Sequence, residues 1–224
     1  MQNHQLREPA LRAELLSGIQ HLDAIGLNRG TSGNVSLRCG SGMLITPSGV
    51  APASLTPNAM VLLDHDATVD GAGRPSSEWR MHRDILKARA EFNAVVHTHS
   101  TFAVTLSTLR RDIPAFHYMV AVAGGNSVRC SGYALFGTSE LSVMALAALA
   151  ERKACLLANH GLIAAGRDLA EAMAIAVEVE ALAEQFCRAL QIGEPVLLSE
   201  QEMAAVHQQF RGYGRWNTQN ERPD

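Results

Sequence analysis

The 224 residues carry 19 Lys and Arg against 22 Asp and Glu, a formal net charge of −3, with 47% hydrophobic and 18% charged residues. This composition supports one domain with a sizeable core and is wrong for a disordered tract. It leaves no basic excess for a general nucleic-acid binder, although a small local anion site stays open. No run approaches the roughly eighteen apolar residues of a membrane span. The opening Met1-Gln2-Asn3-His4-Gln5 lacks the basic and apolar regions of a signal peptide, so a cytoplasmic chain is expected. Cys39, Cys130, Cys155 and Cys187 are scattered and form no Cys-x-x-Cys pair, which excludes a zinc ribbon and points to reduced packing residues.

Leu11, Leu15, Ile19 and Leu22 recur at helical spacing between Pro9 and Gly26 and predict an amphipathic first helix. The glycines and short polar side chains of Arg29 to Asn34 predict a loop. Val35–Arg38 and Met43–Thr46 flank Cys39-Gly40-Ser41-Gly42 as a hairpin, and Val61–Leu63 with Thr68–Asp70 reads as another. Ser76 or Ser77 caps a helix over Glu78–Arg89. Ala94–His99 is a buried strand, followed by a helix over Thr101–Leu109 and a loop holding Pro114, His117 and Tyr118. Thr138 or Ser139 opens a helix to about Arg152, and Cys155–Ala158 and Leu162–Ala164 are strands around Asn159-His160-Gly161. Asp168 with Glu171 starts a long helix reaching about Leu190. Strands bracketed by helices, with hairpins among longer connections, predict one α/β domain over 1–224 whose central sheet is mixed and largely antiparallel. The polar stretch from Arg211 to Asp224 is expected to be a mobile C-terminal tail.

Residues two apart on a strand share a face, so His97 and His99 can aim both imidazoles at one point. Neutral imidazole is a common zinc ligand, although a lone His-x-His is more often a polar strand end than a metal site. His160, in a tight turn between two apolar runs, is a further candidate; standing alone it would be a hydrogen-bonded turn histidine. Glu78 in a first helical turn complements the macrodipole, or serves as a general base or fourth ligand beside a metal. Ser76 and Ser77 offer hydroxyls and free N–H groups at a helix start, where phosphate binds. Gly33-Asn34 and Thr46-Pro47-Ser48-Gly49 add two further loops of small donors, and neither dinucleotide nor Walker A glycine patterns occur. Tyr118 is either a proton donor or a packed ring, and Tyr213, flanked by Gly212 and Gly214, either swings over a cleft or is structural. His4, His21, His65, His82 and His207 have no partner pattern and are expected at the surface or at caps.

In order, Gly33-Asn34-Val35-Ser36, Thr46-Pro47-Ser48-Gly49, Ser76-Ser77-Glu78, His97-Thr98-His99 and Asn159-His160-Gly161 resemble the class II aldolase/adducin family from about Leu11 to Tyr213. Ser76-Ser77-Glu78-Trp79-Arg80, Ile113–Met119 and Ala123–Ser127 resemble its aldolase branch. The resemblance implies an α/β/α fold, a homotetramer with active sites at subunit interfaces, and a zinc-dependent aldolase acting on a phosphorylated sugar. Its reaction would be the reversible cleavage of a ketose 1-phosphate, L-fuculose 1-phosphate first, to dihydroxyacetone phosphate and a short aldehyde such as L-lactaldehyde. His97, His99, His160 and Glu78 would hold Zn2+, with Glu78 also the base and Tyr118 a proton donor. Asn34, Ser48, Gly49, Ser76 and Ser77 would line the phosphate pocket. Phe136 would reach in from a neighbouring subunit and Tyr213 from the tail. Ser48 stands where the family's Thr-Pro-Thr-Gly loop has threonine, and either hydroxyl can bind phosphate. Alternatives from the same family are a 5-deoxyribulose-1-phosphate aldolase, a 4-epimerase, a methylthioribulose-phosphate dehydratase, an oxo-sugar-acid-phosphate decarboxylase, and a non-catalytic adducin-like binding module.

Overall fold

A computed structural model describes residues 8–212 other than 65, 67, 71 and 72. Its β-forming runs are β1 (Asn34–Cys39), β2 (Gly42–Ile45), β3 (Val61–Leu63), β4 (Val69–Asp70), β5 (Ala94–Thr98), β6 (Arg129–Cys130), β7 (Ala154–Leu157) and β8 (Gly161–Gly166). They pair into one eight-stranded sheet in the order β4-β3-β2-β1-β5-β8-β7-β6. The β6–β7 pair is parallel and the other six pairs are antiparallel. The mixed, largely antiparallel sheet is therefore as expected.

Period-two alternation gives the sheet two apolar faces, and each needs a helix layer. On one face Val35, Leu37, Val96 and Leu162 pack against α1 (Glu8–Ala24), α3 (Thr101–Thr108) and α5 (Leu169–Ile192), through Leu15, Leu22, Leu106, Val179 and Phe186. On the other, Ile45, Val95 and Ile163 meet Met81, Ile85, Leu141 and Ala145 of α2 (Trp79–Ala88) and α4 (Ser139–Ala148). Each large side chain so enclosed contributes about 1.5–3 kcal/mol relative to exposure. The result is the α/β/α sandwich.

Local signals place most boundaries. Asp168 caps α5, its Oδ1 accepting the Glu171 N–H at 2.8 Å. Thr138 accepts the Leu141 N–H at 3.3 Å to open α4, which ends at Ala148 rather than near Arg152, ahead of Glu151 in the left-handed region at φ 59°. Among strands and α-helices, β6 and α6 (Glu200–Gly212), whose Met203 packs with Ala115 and Ala121, have no counterpart among the predicted elements. Ser199 and Glu202 form a capping box ahead of it, a signal present in the sequence. The expected tail lies outside the described residues from Tyr213 onward.

His82 corrects one expectation. It is not a surface or capping histidine but is wholly enclosed on the sheet-facing stripe of α2, with Met81, Ile85 and Leu86, and its Nδ1 hydrogen bonds Ser36 Oγ at 2.8 Å. Among the described residues no helix is long and apolar enough to cross a membrane.

Candidate active site

Three separate stretches deliver the imidazoles. His97 is the fourth residue of β5, opposite Asn34 of β1 and Ile163 of β8. Its Nδ1–H donates to the Leu162 carbonyl at 2.9 Å, which fixes the tautomer and leaves the Nε2 lone pair pointing forward. His99 lies just past the strand end, where the Glu180 carboxylate of α5 captures Ser100 Oγ and the first N–H groups of α3 at 2.7–2.8 Å. That capture turns the chain immediately after His99. His160 sits in the β7–β8 turn after Asn159, which is left-handed at φ 54°. Ser107 of α3 holds this turn through its carbonyl to the Asn159 N–H at 2.9 Å and its Oγ to the His160 N–H at 3.3 Å.

The three rings meet edge to face with centroids 4.8–5.0 Å apart. Glu78, at the N-cap of α2 and only 6% exposed, closes the fourth side. Its Oε2 lies 3.1 Å from His97 Nε2 and its Oε1 lies 3.1 Å from His160 Nε2. Asn34 Nδ2 donates to Oε2 at 3.0 Å and aims the carboxylate. One donor atom from each of the four residues lies within 4.8 Å of every other.

Electrostatics match this geometry. Burial alone would raise the Glu78 carboxyl, but the charge and hydrogen bonds of His97 and His160 outweigh it and hold it far below the ordinary carboxylate range. Burial lowers His97, and Glu78 more than compensates, leaving it raised. Burial, then the neighbouring imidazole charges, push His99 down to about 4. The nitrogens His97 Nε2 and His99 Nε2 face each other at 3.0 Å, an arrangement that a shared proton or a cation satisfies. Nitrogen and carboxylate donors converging on one point fit a divalent metal.

Beside the cluster opens a cleft of about 220 Å³, and Asn34, Ser48, Gly49, Ser76, Ser77, Phe136, Glu78, His99 and His160 all line it. An isolated bridge between Pro47 and Pro75 joins two of its loops, with the Ser76 N–H donating to Thr46 O and the Ser48 N–H to Arg74 O, both at 3.0 Å. No lysine or arginine is among the described lining residues, so an anion there would be met by hydroxyls and N–H groups.

Phe136 lines the cleft within its own chain, and Arg80 holds its loop by donating to the Gly137 carbonyl at 2.8 Å. Tyr118 is not brought to the cleft. It is half exposed and lines a separate apolar groove with Met119, Val206 and Phe210. Tyr213 falls outside the described residues. Thr31 and Ser32 also line the cleft. They belong to the glycine-bearing loop that the sequence marked, but two common small polar residues carried no signal of their own.

Comparison with known proteins places these features in a family. The model of the Class II Aldolase and Adducin N-terminal domain matches residues 13–187. The 5-methylthioribulose-1-phosphate/5-deoxyribulose-1-phosphate aldolase of Rhodospirillum rubrum is 55% identical over 205 residues, 92% of this chain and 93% of that one. The L-fuculose phosphate aldolase of Escherichia coli K12 is 45% identical, covering 91% and 95%. A solved L-fuculose 1-phosphate aldolase superposes with a TM-score of 0.87 at 40% identity, covering 90% of this chain and 96% of that one.

Proposed function

The chain belongs to the class II aldolase and adducin family and is an enzyme of the aldolase type, and from that premise we propose that it cleaves 5-deoxyribulose 1-phosphate to dihydroxyacetone phosphate and acetaldehyde, or its 5-methylthio analogue to dihydroxyacetone phosphate and (methylthio)acetaldehyde. The observation that carries the reaction class is the Glu78, His97, His99 and His160 cluster at the edge of a cleft of neutral donors. The substrate choice is supported by the 55% identity to an aldolase of that name. L-fuculose 1-phosphate, which yields the three-carbon L-lactaldehyde, is the second reading, supported by 45% identity to aldolases of that sugar phosphate.

Zinc held by the three histidines would act as a Lewis acid on the negative charge that carbon–carbon cleavage beside a ketone leaves behind. The chain's own residues do the rest. Asn34, Ser48, Gly49, Ser76 and Ser77 hold the phosphate by neutral donors, so binding energy at the unreactive end orients the reacting bond. Cleavage breaks C3–C4: the C4 hydroxyl proton leaves as the aldehyde forms, and the electron pair remains on the three-carbon fragment. Glu78 returns a proton to C3, and in the condensation direction removes it. Tyr118 takes the C4 hydroxyl proton during cleavage and gives it back to the aldehyde oxygen during condensation. Because Tyr118 lies outside the cleft of its own chain, the reading places it at a neighbouring copy's cleft, within a homotetramer whose active sites lie at subunit interfaces.

The test is release of dihydroxyacetone phosphate from 5-deoxyribulose 1-phosphate and from L-fuculose 1-phosphate, with zinc and after chelation. Release that disappears on chelation, returns with zinc and is faster from the deoxyribulose compound is expected. Release faster from the fuculose compound would move the assignment to the second reading. A consumed substrate whose carbon skeleton stays intact would overturn the aldolase chemistry in favour of an epimerase or dehydratase.

A further inference from the structure

The phosphate-side loops and the metal-side histidines come from separate stretches of chain, and Asn28 touches both. It follows α1 and is 2% exposed. Its Oδ1 accepts the backbone N–H of His99 at 3.4 Å. On the other side the amide lies against Gly33, where a Cβ would fall 2.2 Å from Oδ1, 2.4 Å from Nδ2 and 2.5 Å from Cγ. Such similar distances to three atoms mean that the face of the amide, not its tip, meets Gly33. The His99 N–H also settles which way the amide points, because a flipped group would set donor against donor. Nδ2 is then left buried and finds no partner among the described residues. An unmet buried donor is destabilising, and an apolar side chain of the same shape would avoid that cost. Packing alone therefore does not account for an asparagine here.

We infer that Asn28 is a positioning residue: its amide, clamped between the His99 main chain and Gly33, holds the Thr31–Asn34 loop in register with the metal-side histidines. The inference rests on the phosphate reading of that loop. In a ketose 1-phosphate the distance from phosphorus to the reacting bond is set by the covalent skeleton. A loop that drifts relative to His99 and the facing serine loops no longer closes on the phosphate, so a substrate seated at the histidines loses its hold at the phosphate end. A flat amide spaces the two without a protruding group, and Gly33, left-handed at φ 76°, gives it room.

The test compares wild type with Asn28→Ala and Asn28→Leu, the second keeping the branched shape and the number of heavy atoms. Inorganic phosphate is titrated calorimetrically into the metal-free proteins, and kcat and KM for 5-deoxyribulose 1-phosphate are measured on the zinc-loaded ones. Both variants should bind phosphate about tenfold more weakly and show a similar rise in KM, with a smaller change in kcat and one zinc retained per chain. Phosphate affinity and KM unchanged in both variants would overturn the role of Asn28. Joint loss of zinc, phosphate and thermal stability in both would also overturn it, in favour of a packing role. A wild-type protein that binds no phosphate would overturn the phosphate reading of the loop, and this inference with it. The phosphate titration stands whichever sugar the enzyme prefers.

Discussion

His82 is fully enclosed, and burial first, then the charge of His97, drive its pKa down to about 3 while Glu78 pulls the other way. In the unfolded chain the same imidazole titrates near its ordinary 6.5. Between those values the unfolded state binds a proton that the folded state refuses, so stability falls as pH falls through this window. The slope from one such group is at most about 1.4 kcal/mol per pH unit. His82→Gln should therefore shrink the drop in Tm of the metal-free protein between pH 7 and pH 4. An identical drop in both proteins would remove His82 from the account of acid sensitivity. At this scale legibility followed pattern. His97 and His99 could be paired because strand period two puts them on one face. His82 shares its neighbours' periodicity: Met81, His82, Ile85 and Leu86 form the buried stripe of α2, a pattern present in the sequence. Asn28 has no such signal, since its partners lie 5 and 71 residues along the chain and only folding brings them together.

The pairing of β5 with β8 decides how closely the histidines approach. Thr98 faces Leu162 and His97 faces Ile163, so the β7–β8 turn returns to the end of β5 and sets His160 beside His99. Gly161, where β8 begins, is the tight point: a Cβ there would lie 2.4 Å from the Thr98 carbonyl oxygen and 3.1 Å from His97 Cε1 and His99 Cδ2. The oxygen belongs to main chain in the middle of a sheet, so it cannot swing aside as a flexible side-chain tip would. Gly161→Ala should push the strand ends apart and loosen the metal cluster while the two helix layers stay packed. The expected outcome is zinc affinity lowered about 10-fold to 100-fold, read by competition with a chromogenic chelator, in a protein whose circular dichroism is unchanged. Wild-type zinc affinity would show that the strand end yields without disturbing its ligands. Element signals in the sequence were strong where periodicity ran long, as in α1 and α5. They failed for β6, whose two residues are too short to show any period.

At the scale of the whole molecule, the sequence motifs fall into two groups that one chain keeps apart. The Glu78 cluster and the phosphate-side loops share a cleft, whereas Tyr118 opens onto the groove beside α6. Motif order alone could not separate them, because Tyr118 lies between His99 and His160 in the chain and reads as part of the same set. Proton transfer needs the phenol within hydrogen-bond reach of the reacting oxygen. The proposed assembly meets this requirement by joining Glu78 of one copy to Tyr118 of the next. Mixing two crippled proteins tests the arrangement. Glu78→Gln keeps the three histidines but loses the base, and Tyr118→Phe keeps the ring but loses the hydroxyl, so each alone should lose most turnover. When the two are unfolded together and refolded at equal amounts, some interfaces carry intact Glu78 from one chain and intact Tyr118 from the other. Under random assembly these make up about a quarter of the sites, and turnover should recover toward that fraction of wild type if copies assemble as cyclic oligomers. If each cleft instead used its own chain's Tyr118, every site in the mixture would still carry one lesion, and refolding together would restore nothing.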